Sequence, residues 1–184
     1  MTEQVTQALS LLTILGNIML VVYVTLYIFA RHHFKKLTEK FAPQTLWYAW
    51  IVAFIAMAGS LYYSDIARFT PCLLCWYQRI CMYPLVVLLF IAARKKDVAF
   101  KVYGITLAGI GALIAAIHYY EQVTYNPLIP CSALGYSVSC TERFIFNYGY
   151  ITIPMMSLTA FLLILMFLSM IKKRNKSPVT PRID

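Results

Sequence analysis

Five long apolar segments, at about 9–30, 46–63, 73–93, 102–120 and 151–171, leave this sequence few ways to fold. Each can cross the roughly 30 Å of a bilayer's hydrocarbon as a helix rising about 1.5 Å per residue. Lipid offers backbone amides no partner, so a crossing segment must satisfy its own, which makes it a helix. Only 12% of the 184 residues are charged and 61% are hydrophobic, whereas a soluble domain runs nearer a quarter charged. Too little polar surface remains to solvate a globule. The first segment has Glu3 ahead of it, not lysine or arginine, and its apolar run exceeds an h-region, so it reads as a span and not a cleaved signal. The expected fold class is all-α integral membrane, with five spans.

The formal charge of +9 does not point to nucleic acid, because the basic residues fall between apolar blocks and the available surface is mostly lipid-facing. Arg31, Lys35, Lys36 and Lys40 follow the first span. Arg94, Lys95, Lys96 and Lys101 separate the third from the fourth, and Lys172, Lys173, Arg174, Lys176 and Arg182 follow the fifth. Only Arg68, Arg79 and Arg143 lie elsewhere. The positive-inside rule sets the three clusters in the cytoplasm, with the N-terminus outside and the C-terminus inside. The stretch 174–184, with Pro178 and Pro181, reads as a disordered cytoplasmic tail.

With this topology, four of the five cysteines gather on the extracytoplasmic side, where disulfides persist. Cys72 and Cys75 form a CxxC after Pro71, a residue suited to a helix start. Free amides and the helix dipole there stabilise a thiolate. Arg79 lies on the same helical face as both cysteines, and an arginine this far into a span needs the interface or a partner. A thiolate or a ligand's carbonyl oxygen would serve; the plainer reading is a snorkelling arginine beside a structural bridge. Cys131 and Cys140 flank a short loop containing Gly135, which closes a disulfide easily and leaves it exposed to another protein's thiolate, although a structural clip has the same pattern. Cys81 points elsewhere on its helix and reads as an apolar filler. A four-cysteine zinc site is disfavoured by the cation of Arg79 and by Leu73 and Leu74 between the ligands, so no metal is expected.

The segment Pro71-Cys72-Leu73-Leu74-Cys75-Trp76-Tyr77-Gln78-Arg79, followed by Tyr83-Pro84, resembles the DsbB/BdbC family of membrane disulfide-generating proteins. His118, the Pro130-Cys131 pair and Ile153-Pro154-Met155-Met156-Ser157-Leu158 extend the resemblance, and the short Cys131–Cys140 spacing is similar to the compact BdbC branch. It implies a four-helix redox domain over 46–173, to which residues 1–45 add a further span and a basic loop. It also implies a bacterial plasma-membrane enzyme that reoxidises an extracytoplasmic thioredoxin-fold partner, DsbA- or BdbD-like, and passes two electrons to ubiquinone or menaquinone. Cys131 and Cys140 would exchange with the partner, Cys131 being the partner-facing sulfur, and hand electrons to Cys72 and Cys75. Cys75 would reduce the quinone, with Arg79 and His118 at the quinone site.

Two rivals remain. A vitamin K epoxide reductase type also places a CxxC in a helical bundle, but there the loop pair precedes the CxxC, and here it follows. A non-enzymatic scaffold with two permanent bridges would have reduction potentials below about −300 mV and no quinone dependence.

Overall fold

A computed structural model of the chain describes residues 2–29, 44–126 and 139–171. Five long helices carry most of them: α1 (Thr2–Phe29), α2 (Thr45–Leu61), α3 (Leu73–Lys95), α4 (Lys101–Thr124) and α5 (Ile153–Met170). A π-helical turn, Tyr62–Ile66, prolongs α2, and a 3₁₀ turn, Val98–Phe100, leads into α4. All five helices are long and apolar enough to cross a membrane, and there is no strand among the described residues. The chain is an all-α membrane protein of five spans. The basic run 31–40, Cys131 and the tail 174–184 lie outside the described residues.

Helix α1 begins at Thr2, several residues before the apolar run. Polar residues at the start of the run are accommodated within the helix, as Ser10 Oγ donates to the Thr6 carbonyl at 2.8 Å. In the bundle, α2 packs on α3, α3 on α4, α4 on α5, and α5 back on α2, closing a four-helix ring. Leu85, Leu89, Phe161, Ile164 and Leu168 fill its centre with no exposed surface, and Cys81 is buried in the same core.

Lipid tails are as apolar as leucine, so close packing must hold such helices together. The α4–α5 seam shows how. Gly104, Ala108, Gly111, Ala112 and Ala115 make up the buried small side of α4. The ring of Phe161 stands where a β-carbon on Gly111 would go, and one on Gly104 would lie 2.8 Å from Leu168. Helix α1 sits outside the ring against α5 and is attached differently. Gly16 allows the approach, since a β-carbon there would lie 2.9 Å from Leu163. Polar pins run along α1: Tyr63 to Thr6 at 3.4 Å, Asn147 to Ser10 at 3.1 Å, Thr159 to Asn17 at 2.9 Å, and Tyr23 with Ser169 at 2.7 Å.

Candidate active site

Cys72 is the N-cap of α3. Its backbone is extended (φ −76°, ψ 174°), and its sulfur accepts the Cys75 amide at 3.4 Å. A sulfur therefore stands where a hydroxyl or carboxylate oxygen ordinarily caps, at the positive end of the helix dipole. Cys75 lies one turn into the helix, its Sγ 2.9 Å from that of Cys72, and both thiols are free.

The two sulfurs look in different directions. Cys72 is buried, with Nε2 of His118 on α4 at 3.5 Å. The other ring nitrogen, Nδ1, is 2.9 Å from Nε2 of the buried Gln78. An amide nitrogen can only donate, so Nδ1 takes the acceptor's part there and Nε2 faces the Cys72 sulfur. The hydrogen bond with Cys75 and burial hold the Cys72 thiol well above its ordinary pKa, and the His118 contact pulls the other way.

Cys140 packs against Cys72 and Leu74, is only 1% exposed, and is disulfide-bonded. Of the loop pair, Cys131 lies outside the described residues, and the Cys140 sulfur is closed in by protein. The cause is local anchoring. Gln122 Nε2 donates to the Glu142 carbonyl at 2.8 Å, and Arg143 Nε donates to the Gln122 carbonyl at 2.7 Å. The Arg143 guanidinium also lies over the rings of Tyr125 (4.4 Å) and Phe146 (5.1 Å). A cation at the C-terminus of α4 meets carbonyls that have no intrahelical partner, so it both caps the helix and holds the segment that bears Cys140.

Cys75 and Arg79 line a cavity of about 360 Å³ between helices, which Cys72 does not line. The shared face of the sequence reading thus holds for Cys75 and Arg79 only. Arg79 donates from Nε to Ser60 Oγ at 3.0 Å and from Nη2 to the Ser60 carbonyl at 3.1 Å, with its guanidinium 5.1 Å from the Trp76 ring centroid. Tyr83 OH reaches the same Ser60 hydroxyl at 3.5 Å. Ser60 shortly precedes the π turn, a distortion that concentrates at functional sites. His118 borders the cavity as well as contacting Cys72, so it touches both halves of the site. The sulfurs of Cys72 and Cys75 and a ring nitrogen of His118 lie within 4.8 Å of one another, compact enough for a soft cation, but with Arg79 beside them as a competing charge.

Sequence reasoning missed Gln78 and Ser60. Gln78 had a signal, because a primary amide inside an apolar span is costly unless it is paired. Ser60 had none beyond being small and polar.

Residues 43–171 match the family described as disulfide bond formation protein DsbB. The chain belongs to this family. Its relatives within the DsbB family include disulfide bond formation protein C of Bacillus subtilis, 46% identical over 129 residues that make up 69% of this chain and 91% of the relative. A probable disulfide formation protein of Oceanobacillus iheyensis is 45% identical over 71% of this chain and 89% of its own length. Probable disulfide formation protein C 1 of Bacillus anthracis is 44% identical over 68% and 90% respectively. No solved structure matches the chain. Membership agrees with the resemblance carried by the CxxC-Trp-Tyr-Gln-Arg segment and makes this a multi-pass, disulfide-forming membrane oxidoreductase.

Proposed function

We propose that the protein reoxidises an extracytoplasmic thioredoxin-fold thiol oxidase of the DsbA/BdbD kind and delivers the two electrons to a membrane quinone, ubiquinone or menaquinone. One observation supports this above others: Cys75 and Arg79 open on a cavity between membrane helices, while Cys72, three positions away, is enclosed with Cys140. The cavity's size lies within the usual range for small-molecule sites, about 300–1,000 Å³. Its lining is mostly apolar, with Cys75, Gln78, Arg79 and His118 among its few polar side chains. Arg79 commits two of its N–H directions to Ser60, which leaves others of its planar fork for a ligand oxygen. Bound there, a quinone supplies a two-electron, two-proton acceptor.

The chain's own residues then act in series. A partner thiolate bonds to Cys131 and releases Cys140, and the partner's second thiolate closes its own disulfide and releases Cys131. Cys140 attacks Cys72 of an oxidised Cys72–Cys75 pair, releasing Cys75 as thiolate. Cys131 then re-forms its bond with Cys140 and releases Cys72. Cys72, held protonated by its surroundings, takes up a proton. Cys75 keeps the negative charge at the helix start, beside Arg79 and facing the cavity. Two electrons and two protons given up by Cys72 and Cys75 would restore their disulfide, so the net change over the cycle would be one partner dithiol oxidised and one quinone reduced. The basic clusters favour an orientation with the cysteines outside and Arg94, Lys95 and Lys96 in the cytoplasm, in a bacterial plasma membrane.

The test uses purified full-length protein, a reduced thioredoxin-fold dithiol protein and a quinone. Thiol loss and quinone reduction should proceed together at one disulfide per quinone. Partner oxidation that is indifferent to quinone would sink the proposal.

A further inference from the structure

The four-helix ring does not enclose the cavity by itself. Leu12, Leu15 and Met19 of α1 line it together with Val52, Ile55 and Ala56 of α2. Near the cysteine end the two helices touch. Tyr63 reaches Thr6, and a β-carbon on Gly59 would lie 3.2 Å from Leu9. Farther along, α1 leans on α5 instead, through Gly16 against Leu163, Asn17 with Thr159 and Tyr23 with Ser169. Helices α1 and α2 therefore meet at one end and diverge toward the other, with the cavity in the gap. The gap is open sideways: Leu12 is 49% exposed, Leu15 63%, Met19 40% and Ile55 38%.

The Bacillus subtilis relative has no room for this arrangement. Helix α1 precedes the matched residues 43–171, and the match already takes up 91% of the Bacillus subtilis relative, leaving too little chain there for another span. The occupant of the gap must be polar at the end where Cys75, Arg79 and His118 stand and mostly apolar along α1 from Leu9 to Met19, where the Thr13 hydroxyl is spent on the Leu9 carbonyl, a length of about 15 Å at the helical rise. A ring with a long hydrocarbon tail has that shape. A water-soluble oxidant does not.

We propose that α1 and α2 frame a lateral doorway from the bilayer into the redox site, and that the quinone's isoprenoid tail lies in it. The doorway rests on the quinone reading above and adds to it a tail-recognising wall supplied by α1.

The experiment compares two quinones with the same ring, one with a long isoprenoid tail and one without, on the full chain in detergent. Binding is read from the ligand concentration that raises the melting temperature, and turnover is read separately. Leu12→Trp and Ile55→Trp fill the gap from opposite helices, so one misfolded variant does not decide the outcome. Leu11→Trp, on a residue 51% exposed that does not line the cavity, is the control. Each gap variant should weaken binding of the tailed quinone about tenfold and raise its KM alike, while the tailless quinone shifts by less than about twofold. The control should change neither. Equal weakening of both quinones would make α1 a structural brace and overturn the doorway. Unchanged binding of both would do the same and would fit a lipid acyl chain lodged in the gap. If the unaltered protein neither binds nor reduces either quinone, the function proposed above falls, and the doorway with it.

Discussion

Cys72 and Cys75 are one helical turn apart, yet they belong to two different regions of the molecule. Among the described residues, Cys72 is surrounded by protein: His118, itself held by Gln78, contacts its sulfur, and Leu74 and Cys140 pack against it, leaving it 5% exposed. Around Cys75 the wall is incomplete, because Arg79 is braced by Ser60 and the cavity begins. A helix start stabilises thiolate generally, but only neighbours decide which of two sulfurs carries it and what it can reach. The enclosed sulfur suits exchange with another sulfur held against it. The one on the cavity suits a ligand dissolved in the bilayer.

The severest way to test that division is to remove each sulfur. Cys75→Ala and Cys72→Ala should both lower steady-state turnover by about a thousandfold or more, since both serve one relay. They should differ in what survives. Cys75→Ala should still accept one exchange from the partner at the loop pair; kept without partner, it should instead accumulate a bond between Cys72 and Cys140, formed as Cys72 displaces Cys131 from the loop disulfide and seen on a non-reducing gel after proteolysis. A Cys75–Cys140 bond in Cys72→Ala, formed as readily, would erase the distinction. Next in size is Arg79→Lys, which keeps the charge and loses the planar fork. It should raise the apparent quinone KM about tenfold and leave loop exchange with the partner unchanged. Slowed partner exchange at saturating quinone would move Arg79 to the other side of the comparison.

His118→Ala probes the enclosed side through pH. The bond to Cys75 and burial raise the Cys72 thiol, and the His118 contact lowers it. Without the imidazole, the folded-state pKa should rise further. At any pH below it, less thiolate is present, by tenfold for each unit of the rise. The pH profile for alkylation of Cys72 in the reduced protein should therefore move to higher pH, with Gln78→Leu giving a smaller move in the same direction. A shift toward lower pH would show that His118 does not stabilise this thiolate.

How much of this could be read in advance differs between the same two regions. The five spans follow from length and apolar content, and the motif from Pro71 to Arg79 brought Cys75 and Arg79 to one place because 3.6-residue periodicity is local information. The enclosure of Cys72 was not local. It depends on His118 arriving from α4 and on Cys140 arriving from a segment whose anchor, Arg143, had no role assigned from the sequence. The part of α1 in the cavity wall was hidden for another reason. A helix in lipid is apolar all round, so no hydrophobic face marks the side that packs. The mark lies in the small and polar residues instead. Thr6, Ser10, Thr13 and Gly16 are buried on α1 at helical spacing, a stripe that apolar counting passes over.

The mildest perturbation is Arg143→Ala, and it asks whether the enclosure of Cys72 is held from outside. Arg143 does not touch a sulfur. It donates to the Gln122 carbonyl, covers Tyr125, and so ends α4 and ties down residues next to Cys140. Losing a cap and a partly exposed cation–π contact is worth about 1–2 kcal/mol, too little to unfold a bundle whose core lies along α3, α4 and α5. The melting temperature should fall by only a few degrees. Exchange between the loop pair and Cys72 should slow severalfold, because Cys140 is then held less firmly against Leu74. Quinone KM should not move, since Arg143 does not line the cavity. That split between an exchange step that slows and a KM that stays fixed is what two separate surroundings require. A proportionate loss in both would mean that the sulfur side and the cavity side respond as one unit.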